Sequence, residues 1–185
     1  MARHSSSQVI KRMTVFFLIV FAVTSIGDVW STELGQRLPN TVELNPLGFL
    51  PLHLSILGEL AIGAVGCLLV AIGAALSADT LAGAKDSGFF DFLSRFQSRF
   101  PVFILVFAPI AIAESRVIAI VNNVSILAWG ESPINSYALG PIATWTGLPD
   151  SQALVVMLAA AGVMAYVPIM WTIYLAAGRR KKKAA

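Results

Sequence analysis

The chain has 185 residues, of which 57% are hydrophobic and only 12% charged, and its formal net charge is +3. A soluble domain is about 45–50% apolar and about 25% charged, so this composition excludes an ordinary water-soluble surface. The positive charge does not indicate nucleic acid, because the basic residues lie in short clusters beside apolar runs, where Lys and Arg contact anionic lipid. Membrane lipids are therefore the expected partners, and nucleic acid is not.

Four apolar segments are long enough to cross a bilayer, whose hydrocarbon core of about 30 Å needs about 20 helical residues. They are residues 9–30, 51–76, 101–129 and 152–177. Lipid offers backbone groups no hydrogen-bond partners, and none of the segments alternates like a barrel strand, so each must be a helix. The first lacks a signal-peptide cleavage site and is interpreted as a retained helix. The expected fold is an all-α membrane protein, a single domain over 1–185 with four transmembrane helices.

Lys and Arg predict the orientation of these helices. With the N-terminus inside, eleven basic residues lie on the cytoplasmic side, and Arg37 alone lies on the other side. This distribution satisfies the positive-inside rule at every loop, and it places Trp30, Trp129 and Trp145 near the outer interface, where aromatic belts occur. The sequence therefore predicts a multi-pass protein of a prokaryotic inner (cytoplasmic) membrane with both termini cytoplasmic.

The second predicted helix carries a small residue at every fourth position. The row consists of Gly63, Cys67, Ala71 and Ala75. Small residues let another helix approach closely, either inside the bundle or from a partner subunit, and the sequence leaves both open. Cys67 is the only cysteine, so the chain cannot form an internal disulfide or a cysteine-based zinc site.

Between the second and third helices, residues 87–100 carry apolar side chains at helical spacing. These are Phe89, Phe92, Leu93, Phe96 and Phe100. The pattern predicts an amphipathic helix in the membrane interface, capped by Ser87 and followed by Pro101 at the start of the third helix. Its function is either to anchor the chain at the membrane surface, which we favour, or to dock a partner.

Polar residues at membrane depth are costly, so each one needs a structural or functional reason. The candidates are Asp28, Thr32, Glu43, Asn45, His53, Glu59, Glu114, Arg116, Asn122 and Asn123. Glu114 and Arg116 are two residues apart and point to different sides of one helix, which makes Glu59 the first candidate partner of Arg116. Three interpretations are open: interactions that hold the bundle together, which we favour, a pocket open to the outer face, and contact with a separate subunit.

The sequence requires no cofactor and contains no catalytic motif. The spacing of Asp28, Glu43 and His53 matches no established metal site. His53 could supply one axial ligand to haem or chlorophyll, although an interfacial hydrogen bond is favoured. A bis-histidine haem is excluded within the chain, because the only other histidine, His4, lies in the N-terminal tail. There is no Gly-rich phosphate loop, nucleophile elbow or catalytic triad.

Three short patterns occur together: Asp28-x-x-x-Thr32, Glu43-Leu44-Asn45-Pro46-Leu47, and Arg116 followed by Asn122-Asn123. Over about residues 13–126 they resemble a family of small prokaryotic integral membrane proteins that is defined as a domain of unknown function. The resemblance implies a compact helical membrane fold and no particular reaction. It also implies one site composed of Asp28, Thr32, Glu43, Asn45, Arg116 and Asn123. Asn45-Pro46 is a turn signal, and such a turn could bring Glu43 and Asn45 near Asp28.

These features favour a non-catalytic accessory or structural subunit that binds and stabilises a larger inner-membrane protein complex. The small-residue row, the amphipathic segment, the short loops and the missing catalytic motifs all support that hypothesis. The alternative is a small transporter or membrane enzyme with a polar pocket near the outer face. That pocket would be built from Asp28, Glu43, Glu59, Glu114 and Arg116.

Overall fold

The structure, a computed structural model, describes residues 2–35 and 52–178. Within these ranges the chain forms seven α-helices and no strand. The helices are α1 (Ala2–Gly35), α2 (Leu52–Leu76), α3 (Ala78–Gly83), α4 (Phe89–Gln97), α5 (Phe100–Trp129), α6 (Gly140–Thr146) and α7 (Asp150–Gly178). A 3-10 turn follows α3, and a π-helical turn precedes α6.

Four of these helices are long and apolar enough to cross a membrane, which confirms the predicted all-α fold with four transmembrane helices. The segments that meet this length and hydropathy are Ser6–Gly35, His53–Leu76, Phe100–Trp129 and Ala160–Gly178. Helix α1 extends beyond the predicted 9–30 at both ends. Apolar composition marks only the part of a helix that crosses lipid, and no proline interrupts the polar residues on either side of it.

The described residues divide into two compact units, and α1, α2, α5 and α7 each contribute residues to both. The first unit comprises residues 2–22, 60–114 and 168–178. The second comprises residues 23–35, 52–59 and 115–167. The single domain predicted over 1–185 stays a prediction.

The first unit has an apolar interior. On α1, Val9, Met13 and Phe17 recur every four residues and are at most 1% exposed. The other three long helices contribute Val70, Val106, Ile110, Met170 and Ile173, all similarly buried. Residues three and four apart share one face of a helix, so each helix presents a stripe of closely packed side chains to the others. In lipid, such contacts hold helices together mainly through van der Waals packing.

Helix α4 belongs to the first unit and packs through its aromatic face. Phe92 and Phe96 are 1% and 0% exposed, and their rings stack at a centroid distance of 5.4 Å. Phe96 also contacts Phe103 of α5, and Phe92 contacts Tyr174 of α7. Tyr174 in turn donates a hydrogen bond to the carbonyl oxygen of Ser87 at 3.0 Å. Because Phe92 and Phe96 pack inside the unit, they are not available to a partner protein.

The start of α4 differs from the prediction. Gly88 occupies the N-cap position without a side-chain hydrogen bond, so the expected cap by Ser87 is wrong. The Ser87 hydroxyl instead donates to the carbonyl oxygen of Gly83 at 3.1 Å, which closes the preceding turn. A serine can bond to the backbone on either side of it, and the sequence alone does not distinguish the two outcomes. The interfacial location of α4 stays a prediction.

Candidate functional site

The second unit has a polar interior, in contrast to the first. Among its described residues, the buried polar ones are Thr24, Ser25, Asp28, Ser31, Thr32, Ser55, Glu59 and Ser125, all between 0 and 8% exposed. Among the described residues of this unit, Ala153 is the only buried hydrophobic one. Water is excluded from such an interior, so these groups need hydrogen-bond partners within the protein.

Three of the polar side chains form a closed triangle that joins α1, α2 and α5. Nη1 of Arg116 donates to Oγ of Ser25 at 2.7 Å, and the Ser25 hydroxyl donates to Oε2 of Glu59 at 3.0 Å. Arg116 also forms a direct ion pair with Glu59, as the sequence predicted. The two charged side chains are only 12% and 8% exposed. Charge-assisted hydrogen bonds of this kind are among the strongest in proteins, so the triangle is a firm connection between three helices.

A glycine brings α1 close enough to α5 for this contact. A Cβ atom at Gly27 would lie 2.7 Å from Cδ1 of Ile120, well inside van der Waals contact. Any larger residue at position 27 would therefore displace the Ile120 side chain. Gly27 lies two residues after Ser25, and Ile120 one turn after Arg116, so the close approach is adjacent to the triangle.

A second connection lies two helical turns further along both helices. Nδ2 of Asn123 on α5 lies 3.3 Å from Oγ of Ser31 and 3.3 Å from Oγ1 of Thr32 on α1, and it donates to both. Residues seven apart lie on one helical face. Thr32 lies seven residues after Ser25 on α1, and Asn123 lies seven residues after Arg116 on α5, so the same two faces meet again. Asp28, 5% exposed, lies between them on α1. Its carbonyl oxygen accepts a hydrogen bond from the Ser31 hydroxyl at 3.1 Å.

Asn122 has a different role from its neighbour Asn123. Its Oδ1 accepts hydrogen bonds from the Ser132 hydroxyl at 2.7 Å and from the backbone N–H of Ile134 at 3.4 Å. Between Asn122 and these two residues, Gly130 adopts a φ of +75°. This conformation favours glycine and allows the chain to turn at the end of α5. Asn122 therefore holds the segment that follows α5.

The remaining predicted site residues are not part of these connections as far as the structure describes them. Glu114 belongs to the first unit, where its Oε1 lies 2.7 Å from Oγ1 of Thr172. His53 is exposed at the start of α2. Glu43 and Asn45 lie outside the described residues. Of the six residues that the family resemblance groups together, the structure thus brings Thr32 and Asn123 into contact and places Asp28 and Arg116 along the same two helical faces.

The structure offers no obvious metal site in the described ranges, where no three His, Cys, Asp or Glu side chains gather. Chemically, the second unit's interior combines the Arg116–Glu59 ion pair with hydroxyl and amide groups. Such an arrangement can hold helices in register. It can also bind a small polar solute if the solute replaces one of these hydrogen-bond partners.

The predicted packing row on α2 is only partly used. Gly63 is buried, Cys67 and Ala71 are half-buried, and Ala75 is exposed, so only the Gly63 end of the row packs within the described part of the chain. The buried face instead follows Gly63, Gly66, Val70, Gly73 and Ser77. An α-helix has 3.6 residues per turn, so a strict four-residue row drifts by about 40° at each step and leaves the contact.

Two glycines of this face lie directly against aromatic rings of α1. A Cβ atom at Gly63 would lie 2.6 Å from Cε1 of Phe21, and one at Gly66 would lie 2.5 Å from Cζ of Phe17. The contact is therefore internal to the first unit, and it does not provide a surface for a partner.

Replacing Gly66 with leucine is expected to destabilise the protein by about 1–3 kcal/mol, because the new side chain forces the Phe17 ring out of its packed position. The control is Ala75→Leu, at an exposed position of the same helix, which should change stability by less than about 0.5 kcal/mol. Unfolding in mixed micelles measures both. Equal effects at the two positions would show that Gly66 is not a close contact.

Sequence reasoning missed the hydroxyl partners of the site. Ser25, Ser31 and Thr172 each bond to a predicted polar residue, yet none was a candidate. A signal was present on α1, where Ser25, Asp28 and Thr32 recur at spacings of three and four residues within an apolar run. That periodicity indicates one polar face of a membrane helix.

The fold and the polar interior define a helical multi-pass membrane protein whose transmembrane helices are joined by buried polar contacts. Comparison with protein-family models, curated proteins and solved structures found no match. The resemblance to the prokaryotic membrane family therefore stays a prediction.

Proposed function

We propose that this protein is a non-catalytic accessory or structural subunit that binds and stabilises a larger protein complex in a prokaryotic inner membrane. The observation that supports it best is the closed triangle of Ser25, Glu59 and Arg116. Its two charges neutralise each other and its hydroxyl is used twice, so its groups are already committed to holding α1, α2 and α5 together. In the described part of the chain, only one buried side-chain oxygen or nitrogen atom lacks a hydrogen-bond partner, and it is Oγ1 of Thr14.

The partner surface we propose lies on the second-unit part of α7. Val163 and Met164 are 77% and 72% exposed. Ala160 is exposed on the same helical face, three and four residues before them. Small residues allow the backbone of another transmembrane helix to approach, and methionine adapts its shape to a neighbour. The occupant is thus a transmembrane helix of another subunit.

Photo-crosslinking in intact membranes tests this function. A photoreactive residue at Met164 should crosslink to one defined membrane protein. The same residue at Ile26, which is 71% exposed and lies in the same unit, should crosslink only to lipid. Ala160→Leu should remove the Met164 crosslink while the chain still inserts, since Ala160 shares the face of Met164 and added bulk there prevents helix approach. Crosslinks at Met164 to lipid alone, or only to a second copy of the chain, would contradict the proposal.

A small transporter or membrane enzyme is the second candidate function, and one observation favours it. Asp28 is a carboxylate only 5% exposed, in an interior that also contains Ser31, Thr32 and Ser55. Asp28→Asn would then abolish a transport or enzymatic activity while leaving assembly intact. Glu33→Gln, at an exposed carboxylate of the same helix, is the matched control. That outcome would replace the subunit hypothesis.

We further propose that both termini are cytoplasmic and that α4 lies at the cytoplasmic interface. The support is the distribution of basic residues, with eleven on the proposed inner side and Arg37 alone outside. Phe90 and Phe100 are 80% and 66% exposed beside the exposed Arg95 and Arg99, a mixture typical of an interfacial segment.

Reporter fusions are expected to give a periplasmic signal after Gly35 and Glu131, and a cytoplasmic signal after Lys85 and Lys183. The orientation follows from the charge bias, because positively charged loops are retained on the cytoplasmic side. A cytoplasmic signal at Glu131 would contradict the four-helix topology.

A further inference from the structure

The hydroxyl of Thr172 lies between two oxygen atoms. Its Oγ1 is 2.7 Å from Oε1 of Glu114 and 2.8 Å from the carbonyl oxygen of Ile169. Both distances are typical of a hydrogen bond between two oxygens. A backbone carbonyl can only accept, and a threonine hydroxyl has a single hydrogen to donate.

The two protonation states of Glu114 satisfy this geometry differently. An ionised carboxylate would have to share the one hydrogen of Thr172 with the Ile169 carbonyl in a three-centre hydrogen bond, which weakens both contacts. A protonated carboxyl group satisfies both contacts. Its O–H donates to Thr172 Oγ1, and the Thr172 hydroxyl donates onward to Ile169.

The carboxylate of Glu59 shows the opposite arrangement. There Arg116 supplies N–H donors to both Ser25 and Glu59, so the Ser25 hydrogen is available to the carboxylate. Every contact of that triangle is satisfied with Glu59 ionised. Glu114 has no such cation, since the ion pairs found in the described parts of the chain do not include it.

The surroundings of Glu114 also favour a neutral acid. It is half-buried in the membrane-spanning part of α5, between the exposed apolar residues Ile112 and Val117. Lipid on that side provides neither water nor counter-charge, and an unpaired charge at this depth is strongly disfavoured.

We propose that Glu114 is held as a neutral carboxylic acid, donating to Thr172, and that it is a proton-binding site that apolar carbodiimides modify. The proposal is independent of the subunit function. It assigns Glu114 a state different from that of Glu59, which forms an ion pair with Arg116.

The modification follows from the chemistry of a protonated carboxyl group. The acid proton moves to one nitrogen of the carbodiimide, and the carboxyl oxygen bonds to its central carbon to give an O-acylisourea. Transfer of the acyl group to the neighbouring nitrogen then gives a stable N-acylurea. No atom leaves and no oxidation occurs, so the protein gains the mass of the whole reagent.

Mass spectrometry tests the modification on the full chain in phosphatidylcholine vesicles treated with dicyclohexylcarbodiimide. The adduct is expected on Glu114 and not on Glu59, and it should be lost in Glu114→Gln. Glu59 is the internal control, since it is a carboxyl group of the same bundle that is held by Arg116. Labelling of Glu59 equal to or above that of Glu114 would overturn the proposal.

Infrared spectroscopy provides a readout that does not depend on reagent access. The carbonyl band of a protonated carboxylic acid is absent from carboxylates. We expect the wild-type protein to show this band, and we expect its loss both in Glu114→Gln and after carbodiimide treatment of the wild type. Thr172→Val should shift the band because the acceptor is removed, and Thr172→Ser should restore it. A wild-type protein without the band, or one whose band is unchanged by Glu114→Gln, would overturn the proposal.

Discussion

Replacing Arg116 with alanine is expected to lower the free energy of unfolding by about 3–5 kcal/mol, because it leaves the Glu59 carboxylate buried without a counter-charge. Glu59→Ala should have an effect of similar size, since it leaves the Arg116 guanidinium buried without a counter-charge. Unfolding in detergent micelles measures both changes. The double mutant should lose less than the sum of the two single losses, because the second substitution removes a charge that the first has already left unpaired.

The exposed ion pair on α4 is the matched control. Arg95 lies 2.9 Å from Asp91, and their side chains are 68% and 47% exposed. Solvent screens such a pair, so Arg95→Ala should cost no more than about 1 kcal/mol. Strict additivity of the Arg116 and Glu59 effects would mean that the two side chains do not interact.

Phe92→Ala should destabilise the protein by about 3–5 kcal/mol, the usual cost of removing a large buried aromatic side chain. The Phe92 ring is 1% exposed and contacts both Phe96 and Tyr174. Two positions earlier, Phe90 is 80% exposed, and Phe90→Ala should change stability by less than about 0.5 kcal/mol. The same unfolding measurement compares them. If α4 only rested on lipid, the two substitutions would have similar effects.

The membrane-spanning helices were the most predictable part of this fold. Bilayer thickness sets their length, and composition alone marks them. The Arg116–Glu59 pair was predictable for a related reason, because a buried charge needs a partner and few were available. The hydroxyl partners were not, since serine and threonine are ordinary residues of membrane helices and any of several could have faced Arg116.

The sequence left open which neighbour each patterned face meets. The four-residue row on α2 and the aromatic stripe on α4 were both correctly recognised as patterns. The sequence does not say whether such a face meets lipid, a partner or the chain itself. The structure turns Gly63 towards Phe21, and Phe92 towards Tyr174, so these two residues have neighbours within the chain. Ala75 of the row and Phe100 of the stripe are exposed. A pattern of apolar or small residues indicates contact and leaves the identity of the neighbour open.

The polar triangle has a consequence for how the chain enters the membrane during synthesis. Arg116 is costly to insert on an isolated helix. Its two partners, Ser25 and Glu59, lie on helices that precede α5 in the chain, so ribosomal synthesis supplies them first. The helix that carries the guanidinium thus arrives when its counter-charge is already available. A permuted chain with α5 translated before α2 would have to insert Arg116 alone, and it should integrate poorly although its final contacts are unchanged.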